Sequence, residues 1–289
     1  MELKSIWVDR GEVLDKAGQD DLSPCWNIAA VSRSASLAVA DQGSFWLVLR
    51  GDAQFECREG CLLLKAGDWV AVDRDSRPTL LAGRRSLALA FLLPPGGTSA
   101  LDHPGLPTLY PGRGRISRRD MRLALHLWRR ASGHMPKAPA VDGADPTVTV
   151  RCVMHFLSSL QQDLLALVER CPGRSQWRKR QVFARMQRAR LHLDGHLNRT
   201  VSLSELAQLS NFSVWYFTKT FHAIYQEGPR EMLSRTRLRQ ASVLLEETTL
   251  SVGEVGAACG FENPCSFARA FRAHYGTTAS GYRDVQRCA

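Results

Sequence analysis

The strongest constraint in this chain lies in its last hundred residues, where one helical hairpin pattern is written twice. The first copy, SLSELAQLSNFSVWYFTKTF, runs over 202–221, and the second, SVGEVGAACGFENPCSFARAF, over 251–271. Each opens on Ser-x-x-Glu, Ser202 with Glu205 and Ser251 with Glu254, the reciprocal capping box that satisfies free amides at a helix start. Leu203, Leu206 and Ala207 recur as Val252, Val255 and Gly256 at an offset of 49, and Phe217 and Phe221 recur as Phe267 and Phe271 at an offset of 50. The second turn is therefore one residue longer. Cap, small residue, turn and an apolar i,i+4 pair repeated in register predict two tandem helix-turn-helix units.

Within each unit the phenylalanine pair marks the inward face of the second helix. Ser213 is placed to cap that helix in the first unit, and Asn263 followed by Pro264 does so in the second. Trp215, Thr218, Lys219 and His222 then face outward, as do Cys265, Ser266, Arg269 and Arg272. Between the units, 229–247 reads as a helix with Leu238, Ala241, Leu244 and Leu245 inward and Arg230, Arg235, Arg237 and Arg239 mostly outward. That helix would hold the two units at a fixed separation, while the second helix of each unit would enter the major groove of DNA, which is about 12 Å wide.

This stretch resembles the DNA-binding domain of the AraC/XylS family of transcription regulators. The likeness rests on the LSELA first helix, the Arg237-Leu238-x-x-Ala241 run with Leu244-Leu245, the Gly260-Phe261 turn, Phe267-x-x-x-Phe271, and Gly276 with Tyr282-Arg283. Two positions depart from the family pattern: Gln226 stands where a glycine is usual and Ala279 where a proline is usual. Glutamine tolerates positive φ much less readily than glycine. The resemblance implies base reading by Trp215, Thr218 and Lys219 in the first unit and by Cys265, Ser266 and Arg269 in the second. His222, Arg272, Arg235 and Arg237 are expected on phosphates, which position a protein without selecting sequence.

Charge agrees with this placement. The chain of 289 residues carries a net charge of +10, and from residue 175 onward 16 Lys and Arg face 9 Asp and Glu, whereas the remainder holds 22 against 19. No run approaches about 18 consecutive apolar residues, and the start lacks a signal-peptide core, so a cytoplasmic protein without a membrane partner is expected. The eight cysteines are scattered and read as thiols.

The first third reads differently. From about Trp26 to Leu93, short β-like runs (SFWLVLRG, AQFEC, CLLLK, DWVAVDR) are punctuated by glycines, which predicts a small barrel or sandwich. The pattern from Phe45 to Gly51, followed by Ala66-Gly67-Asp68-Trp69 to Val72, resembles the cupin-type N-terminal domain of many regulators of the same family. Metal-binding cupins use several histidines, but none precedes His103 here, Trp46 stands where related domains often carry one, and neither a metal nor a cofactor is expected. Trp26, Trp46 and Trp69 could fill the core or line an effector pocket. Cys57 and Cys61 flank a hairpin turn that could bring their sulfurs together.

After a Pro/Gly-rich linker over 94–114, residues 118–130 suggest a short helix. Beyond a second Pro-rich break over 136–146, Val150, Val153, Leu157, Leu160, Leu164 and Leu167 alternate spacings of three and four. That rhythm suits one helix packing along a seam, read as a homodimer contact through Val153, Leu157, Leu160, Leu164 and Leu167, since pairing lengthens a DNA site. A basic helix over 176–197 then opens the C-terminal domain.

The expected architecture is α+β and multidomain: a cupin-like β-barrel over 1–112, a linker and dimerising helices over 113–174, and an all-α DNA-binding domain over 175–289. The expected function is sequence-specific regulation of transcription on duplex DNA, controlled through the N-terminal domain by a small-molecule effector, with RNA polymerase as a further partner. The competing readings are control by a protein partner and, from another class, an enzyme of the cupin oxygenase or cysteine-dependent DNA-repair type. The missing histidines speak against the first enzyme and the lack of an activating neighbour for a cysteine against the second.

Overall fold

The computed structural model describes residues 3–16, 25–94, 105–133 and 146–287. Eleven strands come first among these: β1 (Leu3–Val8), β2 (Val13–Asp15), β3 (Trp26–Ser32), β4 (Ser36–Ala38), β5 (Ser44–Arg50), β6 (Asp52–Cys57), β7 (Gly60–Lys65), β8 (Asp68–Val72), β9 (Thr79–Ala82), β10 (Leu87–Leu92) and β11 (Gly112–Arg115). The helices are α1 (Arg118–Ala131), α2 (Pro146–Ser159), α3 (Gln162–Val168), α4 (Gln176–Gly195), α5 (Leu203–Leu209), α6 (Val214–Tyr225), α7 (Pro229–Glu247), α8 (Val252–Ala258), α9 (Pro264–Tyr275) and α10 (Ala279–Arg287). The helices expected over 118–130 and 229–247 are present.

The strands form two sheets, one of six strands in the order β1-β3-β10-β5-β8-β11 and one of five in the order β2-β4-β9-β6-β7. Their hydrophobic patterns explain their places. β3 and β8 are buried at every residue, and β5 at all but its last two, because that sheet is covered on both faces. β6 and β7 alternate buried and exposed residues, with Ala53, Phe55, Leu62 and Leu64 inward, because one face of their sheet meets solvent. Trp46, Val48, Val70 and Leu92 of the first sheet meet Phe55, Leu64 and Leu80 of the second in one core. The opposite face of the first sheet, with Trp26, Phe45, Trp69 and Phe91, packs on the helices.

The expected closed cupin barrel is not formed. Among the described residues no strand of one sheet pairs with the other, and α4 contacts one edge strand of each, β7 and β11, with Leu191 reaching into the sandwich core. The helix thus stands where closure would otherwise occur. Its last residue, Gly195, lies so close to Gly60 that a Cβ on Gly60 would fall 2.8 Å from the Gly195 carbonyl oxygen. The final residues of the predicted 94–114 linker belong to β11, antiparallel to β8; residues 95–104 and most of the 136–146 break lie outside the described residues.

The helix expected across 150–167 is two helices. It breaks at Leu160 and Gln161, where the buried Gln161 amide accepts from the Tyr110 N–H (3.0 Å) and donates to the Tyr110 carbonyl (2.8 Å). Val153, Leu157 and Leu164 are buried within the chain's own core, with Leu160 and Leu167 packed at its edge. The stripe read as a dimer seam therefore packs within the chain's own core, against the sheet and α4.

The three tryptophans do not line a common pocket. Trp46 lies between the sheets, its Nε1 donating to Ser44 Oγ at 2.8 Å, whereas Trp26 and Trp69 lie on the other face of the same sheet; all three are buried. Trp69 stacks on Phe45 with ring centroids 5.1 Å apart. Cys57 and Cys61 also separate: Cys57 pairs with Gly60 and Cys61 with Glu56, so side chains that differ by an even number of strand steps across the turn end on opposite faces, Cys57 half-buried and Cys61 exposed. Burial, with the neighbouring Glu59 carboxylate, pushes the Cys57 thiol far up from its ordinary value and so disfavours the thiolate.

Candidate nucleic-acid interface

Each helix-turn-helix is built by local chemistry that the sequence states openly. Ser202 Oγ accepts from the Glu205 N–H (3.1 Å) and Ser251 Oγ from the Glu254 N–H (3.2 Å), setting the starts of α5 and α8. The turns then pass through the left-handed region at matching positions, Asn211 (φ 54°) and Gly260 (φ 79°). Phe212 and Phe261 follow, donating their N–H to Ala207 O (2.9 Å) and Gly256 O (3.0 Å). Glu262 is the additional residue of the second turn, before the Asn263 cap that accepts from the Cys265 N–H at 2.8 Å. Phe217, Phe221, Phe267 and Phe271 are all buried, fixing the inward faces of α6 and α9.

The outward faces carry the free cations. Trp215 is 70% exposed, and the Lys219 ammonium lies 5.0 Å from the centre of its ring. Lys219 and His222 on α6 are exposed, as are Cys265, Ser266, Arg269 and Arg272 on α9, while Thr218 is half-exposed with its hydroxyl donating to Val214 O. Among the described residues no carboxylate lies within ion-pair distance of Lys219, Arg269 or Arg272.

A helix-turn-helix domain model matches residues 206–284. The chain is 31% identical over 91 residues to the transcriptional activator AarP of Providencia stuartii, an alignment covering 32% of this chain and 67% of that protein. It is 26% identical to the regulatory protein SoxS of Salmonella typhimurium over 91 residues, 32% of this chain and 85% of SoxS. Among solved structures, the DNA-binding domain of AdpA in complex with a target DNA is 31% identical, with a TM-score of 0.31 and coverage of 32% of this chain and 84% of that one. The chain belongs to the AraC family of transcription regulators. It is a DNA-binding regulator, and among its described residues no helix is long and apolar enough to cross a membrane.

In this AraC-family regulator, not every expected contact residue is available. Arg237 is turned inward: its Nε donates to Leu197 O (2.7 Å) and its Nη2 to Arg199 O (2.8 Å), and its guanidinium lies 5.8 Å from the centre of the Phe261 ring. Arg235 is held by Glu227 through Nε (3.1 Å) and Nη2. In both cases the arginine stem lies along the packed helix while a carbonyl or carboxylate of a neighbouring segment holds the charged head. Arg283 does for the second unit what Arg237 does for the first, donating to Leu245 O at 3.3 Å and to Leu250 O. In each unit an arginine on the following helix thus ties back to the segment before the first helix.

Two further features of the family frame differ from their sequence reading. Gln226 adopts the left-handed cap (φ 60°) that Gly276 adopts in the second unit (φ 73°), with its own amide donating to Ala223 O at 2.8 Å. Glu205 does not close the first capping box. His192 Nε2 (2.7 Å) and Arg199 Nη1 (3.0 Å) hold its carboxylate instead, and Arg199, then His192, draw its pKa down to about 2. Glu254 accepts from the Ser251 N–H at 2.7 Å and closes the second box.

The basic helix α4 is only partly a free basic face. Arg188 faces the buried Glu59 (3.4 Å) and Asp73 (3.3 Å), Lys179 pairs with Glu169 (2.7 Å), and Arg190 lies over the Tyr225 ring. Arg178, Arg180 and Arg185 remain exposed.

Proposed function

We propose that α6 and α9 enter successive major-groove faces of one duplex, with Trp215, Thr218 and Lys219, and Cys265, Ser266 and Arg269, at the base edges. His222 and Arg272 then neutralise phosphates, and α7 sets the separation, about 34 Å of DNA between the two helices. The observation that carries this reading is the sidedness of the two helices: the phenylalanine pair is wholly inward, and the outward cations lack protein counter-charges. The division of labour is a sandwich over 1–112, connecting helices over 113–174 and a DNA-reading unit over 175–289, acting in the cytoplasm, where the target DNA lies.

Control by a small molecule acts through the N-terminal domain. The support for it is continuity of packing: Phe91 and Trp69 of the sheet, Phe183 and Met186 of α4, and Leu206 and Phe221 of the first unit belong to one apolar cluster. A change in how α4 sits on the sandwich therefore moves the first recognition helix. Selection of bound fragments from random duplex DNA by the full chain, repeated over a range of salt, tests the DNA-reading proposal. A two-part site of roughly twenty base pairs with a steep log–log salt dependence is expected; a flat salt response or an undivided short site would overturn it.

A further inference from the structure

A cavity of about 340 Å³ lies at the seam between the sandwich and α4, at the lower end of the size range of small-molecule sites. One wall is Ala71, Leu93 and Tyr110, and the other is Trp177, Arg180 and Ala184 of α4. The site thus joins the two parts of the molecule whose relative placement sets the first recognition helix.

Its chemistry is specific. Asp73 and Asp75 at the rim already face Arg188, at 3.3 and 3.7 Å, but among the described residues no carboxylate lies within ion-pair distance of Arg180. A guanidinium binds a planar carboxylate with two parallel hydrogen bonds. The aromatic rings of Tyr110 and Trp177 offer flat apolar surface. Arg74, also in the lining, is taken up by Asp75 at 3.7 Å, so among the described residues Arg180 is the lining guanidinium left without a carboxylate, which suits a singly charged acid.

We propose that this seam cavity binds a small carboxylate with a flat apolar body, its carboxylate on Arg180, and that occupancy changes DNA affinity through α4. The proposal rests on the reading above that the N-terminal domain is under small-molecule control. The coupling route is short: Arg185, one turn beyond Arg180 and Gln181, lies 5.4 Å from the ring of Phe212 in the first helix-turn-helix turn, and Phe183 and Met186 share a core with Phe217 and Phe221.

Calorimetric titration of the full chain with 2-naphthoate and with its neutral analogue 2-naphthalenemethanol tests the site. The acid is expected to bind one per chain and about tenfold more tightly than the alcohol, as a charge-assisted pair requires. Arg180→Ala should erase that preference while leaving the alcohol unaffected, and Ala184→Trp, which fills the cavity, should weaken both ligands. Saturating 2-naphthoate should shift the affinity for selected DNA by about fivefold or more. Equal binding of acid and alcohol, acid binding unchanged in Arg180→Ala, or no effect of bound acid on DNA affinity would each overturn the proposal. DNA affinity of the unliganded variants separates the two readings: a chain that still binds its DNA but not the acid loses the seam site alone, and one that binds no DNA loses the regulator reading.

Discussion

The two helix-turn-helix units share a motif but not a setting. Leu206, Phe217, Phe221 and Ile224 of the first unit belong to the same apolar cluster as the β-sheet and α1 to α4, whereas Leu238, Val255, Phe267, Phe271 and Ala279 form a separate small core around the second. One unit is packed into the body of the protein; the other has its own core on α7 and meets the body at its turn, where Gly260 closes on Leu197 and Asn198 and Glu262 accepts from the Thr200 hydroxyl at 3.2 Å. The same local code therefore yields one module whose stability is that of the whole and one whose stability is its own, which gives the N-terminal domain leverage over the first reading head and little over the second.

The sharpest way to break that contrast is to hollow out each core. Phe221→Ala and Phe271→Ala should each cost about 3–5 kcal/mol. Phe221→Ala should weaken hydrogen-exchange protection in the sandwich as well as in α6, whereas Phe271→Ala should loosen α8 to α10 alone. Equal loss of sheet protection in both variants would mean that the two cores unfold as one.

Arg237→Ala removes two charge-assisted bonds to carbonyls at the junction, so it should lower stability by about 2 kcal/mol and leave the salt slope of DNA binding unchanged. A slope reduced by about one with unchanged stability would instead place Arg237 on a phosphate. Arg269→Ala should cost about 1–3 kcal/mol of binding to the preferred DNA and relax selection at one base position, read from binding selections on the two proteins. Uniform weakening on all sequences would assign this side chain to the backbone.

The helix caps offer a milder comparison. Gln226→Gly should stabilise the first unit by about 0.5–1 kcal/mol, because glycine takes φ near 60° without the Cβ penalty, while Gly276→Gln should destabilise the second by a similar amount. Apart from Gly276 and its own chain neighbours, no atom of the described residues lies within 4 Å of a Cβ built there, so backbone conformation sets that cost. Thermal melts of both variants check the pair.

The smallest effect is a pH dependence. Glu205 is held near a pKa of 2 in the fold against an ordinary 4.5, so its contribution is complete above about 4.5 and fades as pH falls toward 2. Glu205→Gln should therefore lower the melting temperature at neutral pH, with the gap to the native protein closing across that acid range. The corresponding Glu254→Gln gap should be smaller, since Ser251 alone holds that carboxylate.

Local signals in the sequence determined the helical hairpins. Capping serines, the Asn263-Pro264 start, the phenylalanine pairs and the added Glu262 act within one or two turns of chain, so both units and the linking helix stand where the pattern puts them. The β-runs were legible for the same reason, and the unbroken apolar run of β5 set against the alternation of β6 even distinguishes a doubly covered sheet from a half-exposed one. Tertiary structure decided everything that depends on what lies opposite. The Val153–Leu167 stripe has a seam-like period, but a period does not name its partner, and the sheet with α4 took that place. Arg237 and Arg269 are the same residue on neighbouring helices; carbonyls from a segment some forty residues away capture one, while the other reaches only the Cys265 carbonyl one turn back on its own helix (3.4 Å) and meets no carboxylate among the described residues. Trp46 became core between the two sheets and Trp26 and Trp69 on the sheet face that the helices cover, and the seam cavity lies between the sandwich and α4, among residues that no sequence pattern connects.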